Sequence, residues 1–203
     1  MSIDEGVIKF RSDLERAPPP AEDSTLLGLN AWRSRLFDAR LIGEYVDAGV
    51  GYGNVSAKLA NGHVLMTGTQ TGHLPRLKPS NYTEVIAYDL QANRVRARGP
   101  VEPSSETLAH MALYAAIPSC GAVFHVHDAQ AWQRYRDDWP TTGTDVAYGT
   151  PAMAGELGRL YRETRFAEDR IAIMGGHEDG IIAWGRTLDE AGEVLLRRLR
   201  EYR

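Results

Sequence analysis

Six residues, "AVFHVH" at positions 122–127, constrain this chain more than any other stretch. The run follows Gly121, is apolar and is rich in strand-forming side chains. Successive side chains of a strand point to opposite faces. Phe124 and Val126 therefore face one way, and His125 and His127 project side by side the other way. A buried strand carrying two imidazoles admits two readings. They are polar residues satisfied at a strand end, or they are neutral ligands sharing one metal ion.

The second reading needs a third ligand. His63, His73, His110 and His177 are available. His177 lies between the strand-like runs "RIAIMGG" and "GIIAWG", in a turn with Gly175, Gly176 and Gly180, where the backbone turns sharply and can bring an imidazole to a neighbouring strand end. His110 falls inside a helical pattern as a packed or surface residue, and His63 follows the turn pair Asn61-Gly62. His177 is the favoured partner.

The remaining pattern is that of one α/β domain. Leu26, Leu29, Trp32, Leu36, Ala39, Ile42 and Val46 recur at helical spacing, with Ser24 or Thr25 as cap. "NVSAKLA" and "HVLMT" form a hairpin through Asn61-Gly62, and "EVIAYDL" is a further strand. Residues 104–117 form a helix stopped by Pro118; 129–136 and "PAMAGELGRLYRE" are helical, and "TLDEAGEVLLRRLREYR" closes the chain with acids early and arginines late. Residues 1–23, with three prolines at 18–20, read as an arm and stiff connector before the main domain of residues 24–203.

Composition narrows the function. Hydrophobic residues make up 43% of 203, enough for a sizeable core, and the net charge of −4 argues against nucleic-acid binding through bulk positive charge. Cys120 is the single cysteine, so no intrachain disulfide forms and a reducing compartment is expected. No apolar run reaches the length of a membrane span, and "MSIDEGVIKF" lacks the layout of a signal peptide. The expectation is a cytoplasmic protein without membrane association. The four tryptophans read as core or interface residues.

Two other stretches could carry chemistry. In "EPSSET", Ser104 and Ser105 start a helix with Glu106 in its first turn. That is ordinary capping, or an anion site beside a carboxylate able to act as a base. The turns "GYGNVSAK" and "MTGTQTGHL" place Asn54, Ser56, Thr67, Gly68, Thr71 and Gly72 where backbone and hydroxyl groups could wrap an oxyanion.

Taken in order, "GNVS", "LMTGTQTG", "PSSET", "AVFHVH" and "GGHEDGIIAWG....EA" resemble the class II aldolase/adducin family over residues 26–200. The resemblance implies a three-layer α/β/α fold with a mainly antiparallel central sheet, and a cyclic homotetramer with active sites between subunits. It implies His125, His127 and His177 as ligands of one divalent ion per subunit, zinc by default and manganese, cobalt, nickel or iron as alternatives. Glu106 would be the acid/base residue, and Asn54, Thr71, Gly72, Ser104 and Ser105 the substrate-phosphate site. The implied enzyme is a metal-dependent aldehyde-lyase that makes or breaks a carbon–carbon bond in a small, phosphorylated hydroxy-carbonyl compound through a metal-stabilised enediolate. A dehydratase or decarboxylase using the same site, or a non-catalytic adducin-like binding domain, is the alternative.

Three departures from the family pattern stand out. "TGTQTG" offers two Thr-Gly pairs, of which Thr71-Gly72 is preferred. No tyrosine aligns with the one that protonates the leaving aldehyde in sugar-phosphate aldolases, Tyr135 and Tyr148 being stand-ins. No added C-terminal tail of the kind used by family epimerases follows His177 and its helix, which weighs against epimerisation.

Overall fold

The computed structural model describes residues 6–200. Strand β1, Arg11–Arg16, leads through the prolines to helix α1, Ser24–Asp38. Asp23 is the helix cap, in place of the expected Ser24 or Thr25: its carboxylate accepts from Leu26 N at 2.9 Å, a bond of a kind that stabilises a helix by about 1 kcal/mol. The helix stops well before the predicted Val46. Ala39 closes it, Arg40 turns left-handed at φ 60°, and a small hairpin follows, strands β2 (Gly43–Tyr45) and β3 (Val50–Tyr52). Leu41 leaves the helix because its carbonyl accepts from His127 N at 3.0 Å.

The main sheet then builds through β4 (Asn54–Lys58), β5 (Val64–Thr67), β6 (Tyr82–Asp89) and β7 (Arg94–Gly99). Helix α2 spans Thr107–Ala116, so Ser104 and Ser105 lie ahead of it and Glu106 is its cap residue. Strand β8 is Ala122–His127, followed by helices α3 (Ala129–Tyr135), α4 (Pro151–Glu163) and α5 (Phe166–Asp169). Strands β9 (Ile171–Ile173) and β10 (Gly180–Gly185) and helix α6 (Leu188–Arg200) complete the described chain.

The eight-stranded sheet has the order β1-β7-β6-β5-β4-β8-β10-β9. It is mixed, which corrects the expectation of a mainly antiparallel sheet: β1 joins β7 in parallel, Arg11 opposite Arg94, at one edge, and the other neighbours run antiparallel. No tight hairpin links β1 to β7; α1 and five strands intervene, so a parallel pairing is open to it. Part of the expected N-terminal arm is thus a sheet strand.

Alternation along the strands sorts the core into two layers. Val123 of β8 and Ile182 of β10 pack with Leu108 and Met111 of α2 and Leu157 of α4. Phe124 and Val126 pack on the other face with Leu29 and Trp32 of α1 and Leu195 of α6. His125 and His127 share the face of Val123, so the sheet aims them at the layer that contains α2. Trp32, Trp139 and Trp184 are buried and Trp132 is half-buried.

Candidate metal centre

The three histidines meet. Nε2 of His125 and of His127 are 3.1 Å apart, His127 and His177 also 3.1 Å, and His177 and His125 3.3 Å. All three side chains are buried. Antiparallel pairing of β8 with β10 puts His127 opposite Gly180, and the turn before Gly180 folds His177 back over the strand ends. That turn is tight: a Cβ on Gly176 would sit 2.1 Å from the Val146 carbonyl oxygen. A side chain there would push the turn off the backbone it packs against.

Glu106 completes the cluster from the start of α2. Its Oε2 lies 3.0 Å from His125 Nε2 and its Oε1 2.9 Å from His177 Nε2. Burial alone would raise its carboxyl, but the imidazoles of His125 and His177 outweigh that and hold it down at about 2. Burial pushes His125 down to about 4 and His127 well below the ordinary imidazole value. Burial thus favours the neutral form of His125 and His127. The His125 Nδ1 lies 3.1 Å from the Ile181 carbonyl, which only accepts, so Nδ1 carries the proton and Nε2 points a lone pair inward.

These residues fit a divalent cation. The centre of a triangle with the observed sides lies about 1.8 Å from each nitrogen, a spacing compatible with a zinc–imidazole bond of roughly 2.0–2.1 Å. Both Glu106 carboxylate oxygens are buried without a directed hydrogen bond. A buried anion beside converging imidazole nitrogens is stabilised by a positive charge at their common point.

Beside the cage lies a small cleft lined by Asn54, Thr71, Gly72, Ser104, Ser105 and Glu106, together with Gly6, Gly51, Gly53, Gly68, Thr69 and Gln70. The five residues that the family resemblance implies for a phosphate, Asn54, Thr71, Gly72, Ser104 and Ser105, are brought to this one place, whereas Ser56 and Thr67 are not. Asn54 stands opposite His125 in the β4–β8 register, and its buried Oδ1 has no hydrogen-bond partner. Thr67, of the other Thr-Gly pair, spends its hydroxyl on the backbone of Val55 and does not line the cleft, although Gly68 does. Gly72 must be glycine here, since a Cβ would come within 2.2 Å of the Gly43 carbonyl oxygen.

Arg33 holds this wall in place. It is buried, and its guanidinium donates to the carbonyls of Thr71 (2.9 Å), Gly72 (3.0 Å) and Leu74. Burial lowers it to about 10, still protonated at neutral pH. The sequence reading passed over Arg33, because nothing local distinguishes it from the exposed arginines of a helix. It also passed over Tyr45, whose hydroxyl reaches His127 Nδ1 at 2.8 Å. Of the two stand-in tyrosines, Tyr148 packs its ring 4.7 Å from that of His177, whereas Tyr135 stacks on Trp139. His110 is buried, with Nδ1 2.7 Å from Ser56 Oγ, and His63 pairs with Glu84 at 3.2 Å.

The family model described as the class II aldolase and adducin N-terminal domain matches residues 39–197. The chain belongs to the class II aldolase/adducin family. Among solved structures it is similar to an L-fuculose 1-phosphate aldolase, with a TM-score of 0.67, 19% identity, and coverage of 90% of this chain and 86% of that one. YgbL from Escherichia coli gives a TM-score of 0.65 at 21% identity, covering 87% of this chain and 86% of the other. These likenesses show the fold. Methylthioribulose-1-phosphate dehydratase of Pseudomonas paraeruginosa is 39% identical over 80 residues, 38% of this chain and 35% of that protein. L-ribulose-5-phosphate 4-epimerase UlaF of Salmonella paratyphi B is 29% identical over 128 residues, 53% of this chain and 55% of the other. The matches span about a third to a half of these curated relatives. Among the described residues no helix is long and apolar enough to cross a membrane.

Proposed function

We propose that this class II aldolase/adducin family member is a divalent-metal-dependent lyase acting on a small phosphorylated hydroxy-carbonyl compound. The observation that carries the reading is the convergence of His125, His127 and His177 Nε2 atoms, 3.1–3.3 Å apart, against the Glu106 carboxylate. The three histidines would hold the ion, with zinc the first candidate. When bound, the ion supplies positive charge that polarises a substrate carbonyl and offsets negative charge developing on oxygen as the neighbouring bond breaks.

The chain's own residues supply the rest. The cleft of Asn54, Thr71, Gly72, Ser104 and Ser105 would take the phosphate on hydroxyls, side-chain amide and backbone N–H groups at the entry to α2. Glu106, ionised and at the junction of cleft and cage, would take a proton from the substrate carbon and return it. Burial of the whole cluster keeps bulk water from that proton.

The choice of bond is open to two versions. Carbon–carbon cleavage is the first, supported by the fold likeness to an aldolase. Loss of water is the second, favoured by the 39% identity to a dehydratase over 80 residues. An adducin-like binding role would leave the buried carboxylate and its histidines without a purpose. The reading includes a reducing cytoplasm, in keeping with the buried free Cys120, and a tetramer with a neighbour closing each site. The test is metal analysis of the purified protein, its His125→Ala variant, and a panel of phosphorylated and free ketoses assayed for aldehyde release and for dehydration. Stoichiometric metal that disappears with His125, and turnover of a phosphorylated ketose, support the reading. Full metal retention in His125→Ala overturns it.

A further inference from the structure

His127 has an outer neighbour that His125 lacks. Nδ1 of His125 meets a backbone carbonyl, a neutral acceptor, at 3.1 Å. Nδ1 of His127 meets the Tyr45 hydroxyl at 2.8 Å, and that hydroxyl is 3.1 Å from Asp179 Oδ2. Tyr45 sits at the end of β2 in the small hairpin, and Asp179 two residues after His177 in the β9–β10 turn. Tyr52 of β3 stacks on the other side, its ring 5.2 Å from that of His127 and 26° from parallel. Two residues of the hairpin thus fix one ring by edge and by face.

The proton inventory gives the chain a direction. A carboxylate only accepts, so the Tyr45 hydrogen is committed to Asp179. The Tyr45 oxygen is then an acceptor, and the hydrogen between it and His127 belongs to Nδ1. The opposite tautomer would place an Nε2 hydrogen inside the cage, facing two other Nε2 atoms at 3.1 Å.

We propose that Tyr45 and Asp179 are positioning residues of the metal centre, a His127–Tyr45–Asp179 relay that holds His127 in the Nδ1–H form and aims its Nε2 lone pair at the ion. The inference rests on the metal reading of the cage. A carboxylate behind a ligating histidine raises its basicity and fixes its orientation; here the carboxylate acts through a hydroxyl. His127 becomes the strongest donor of the two strand histidines, and docking of the β2–β3 hairpin becomes part of assembling the metal site.

Zinc affinity is measured by chelator competition on the full chain, for the parent protein, Tyr45→Phe, Asp179→Asn and the double variant, with circular dichroism as a check on folding. Each single variant is expected to bind zinc about 10–100-fold more weakly. The double variant is expected to lose no more than the worse single one, because both break the same chain. Nitrogen-15 spectra of the zinc-loaded parent should show a protonated His127 Nδ1, a readout independent of any variant's folding. Single variants within twofold of the parent, or an unprotonated His127 Nδ1, overturn the relay while leaving the metal centre standing. A parent protein that binds no metal overturns the metal centre, and the relay falls with it.

Discussion

Glu106 Oε1 stands 2.9 Å from His177 Nε2, a contact that ties the entry of α2 to the turn between β9 and β10. The carboxylate is ionised there, held at about 2 against burial by its imidazole neighbours. In Glu106→Gln the shape is kept and the base is lost. Turnover should fall by about a hundredfold or more, with the metal content unchanged. Metal analysis and steady-state rates on the same preparation check both halves.

Metal should stabilise the fold. Zinc at a hundred times its dissociation constant adds about 2.7 kcal/mol to unfolding, equivalent to a rise of roughly 5–10 °C in Tm for a chain of this size. Thermal melts before and after chelation read the shift. His125→Ala should melt at one temperature with or without zinc.

Arg33 makes its own prediction. Arg33→Met removes the donor from the carbonyls of Thr71, Gly72 and Leu74 inside the protein. Leaving buried acceptors unpaired should cost roughly 2–4 kcal/mol, read by urea unfolding. The freed wall of the cleft should raise KM for a phosphorylated substrate more than it lowers kcat.

Acid should weaken the metal-free protein through its buried histidines. Burial holds His110 at about 3 and His125 at about 4, below the unfolded value of 6.5. As pH falls from 6.5 towards those values, the unfolded chain takes up protons that the folded chain refuses, so stability drops. Urea midpoints at pH 7 and pH 5 should show the loss, and His110→Asn should make the slope shallower.

Cys120 should be inert while the chain is folded. Its thiol is buried and pushed up to about 12, so almost no thiolate exists at pH 8. A chromogenic disulfide reagent should titrate no thiol in native protein and one per chain in denaturant.

The cage and cleft were legible because their signals are local. The two-residue period of His125 and His127 puts them on one face, and the glycines around His177 announce a turn. What escaped depends on distant partners. Ala39, Ile42 and Val46 continue the spacing of α1, yet Leu41 bonds to His127 N and the helix ends at Asp38, so Tyr45 was hidden in what read as helix. Strand β7, "RVRARG", escaped although its charges alternate with buried Val95 and Ala97, the period of a half-exposed strand; the run holds only two apolar side chains large enough to bury. His110 reads as a packed or surface residue and Arg33 carries no local signal at all; only Ser56 of β4 and the loop 71–74 explain their burial.

Asn54 and His125 are opposite one another on adjacent strands, one lining the cleft and the other the cage. The gap between the two compartments is thus set by a hydrogen-bonded ladder, which stretches far less than a loop. On the proposed function the protein would act as a gauge of length: a substrate spanning both compartments would have to match the spacing of the two strands, because the strands will not adjust to it.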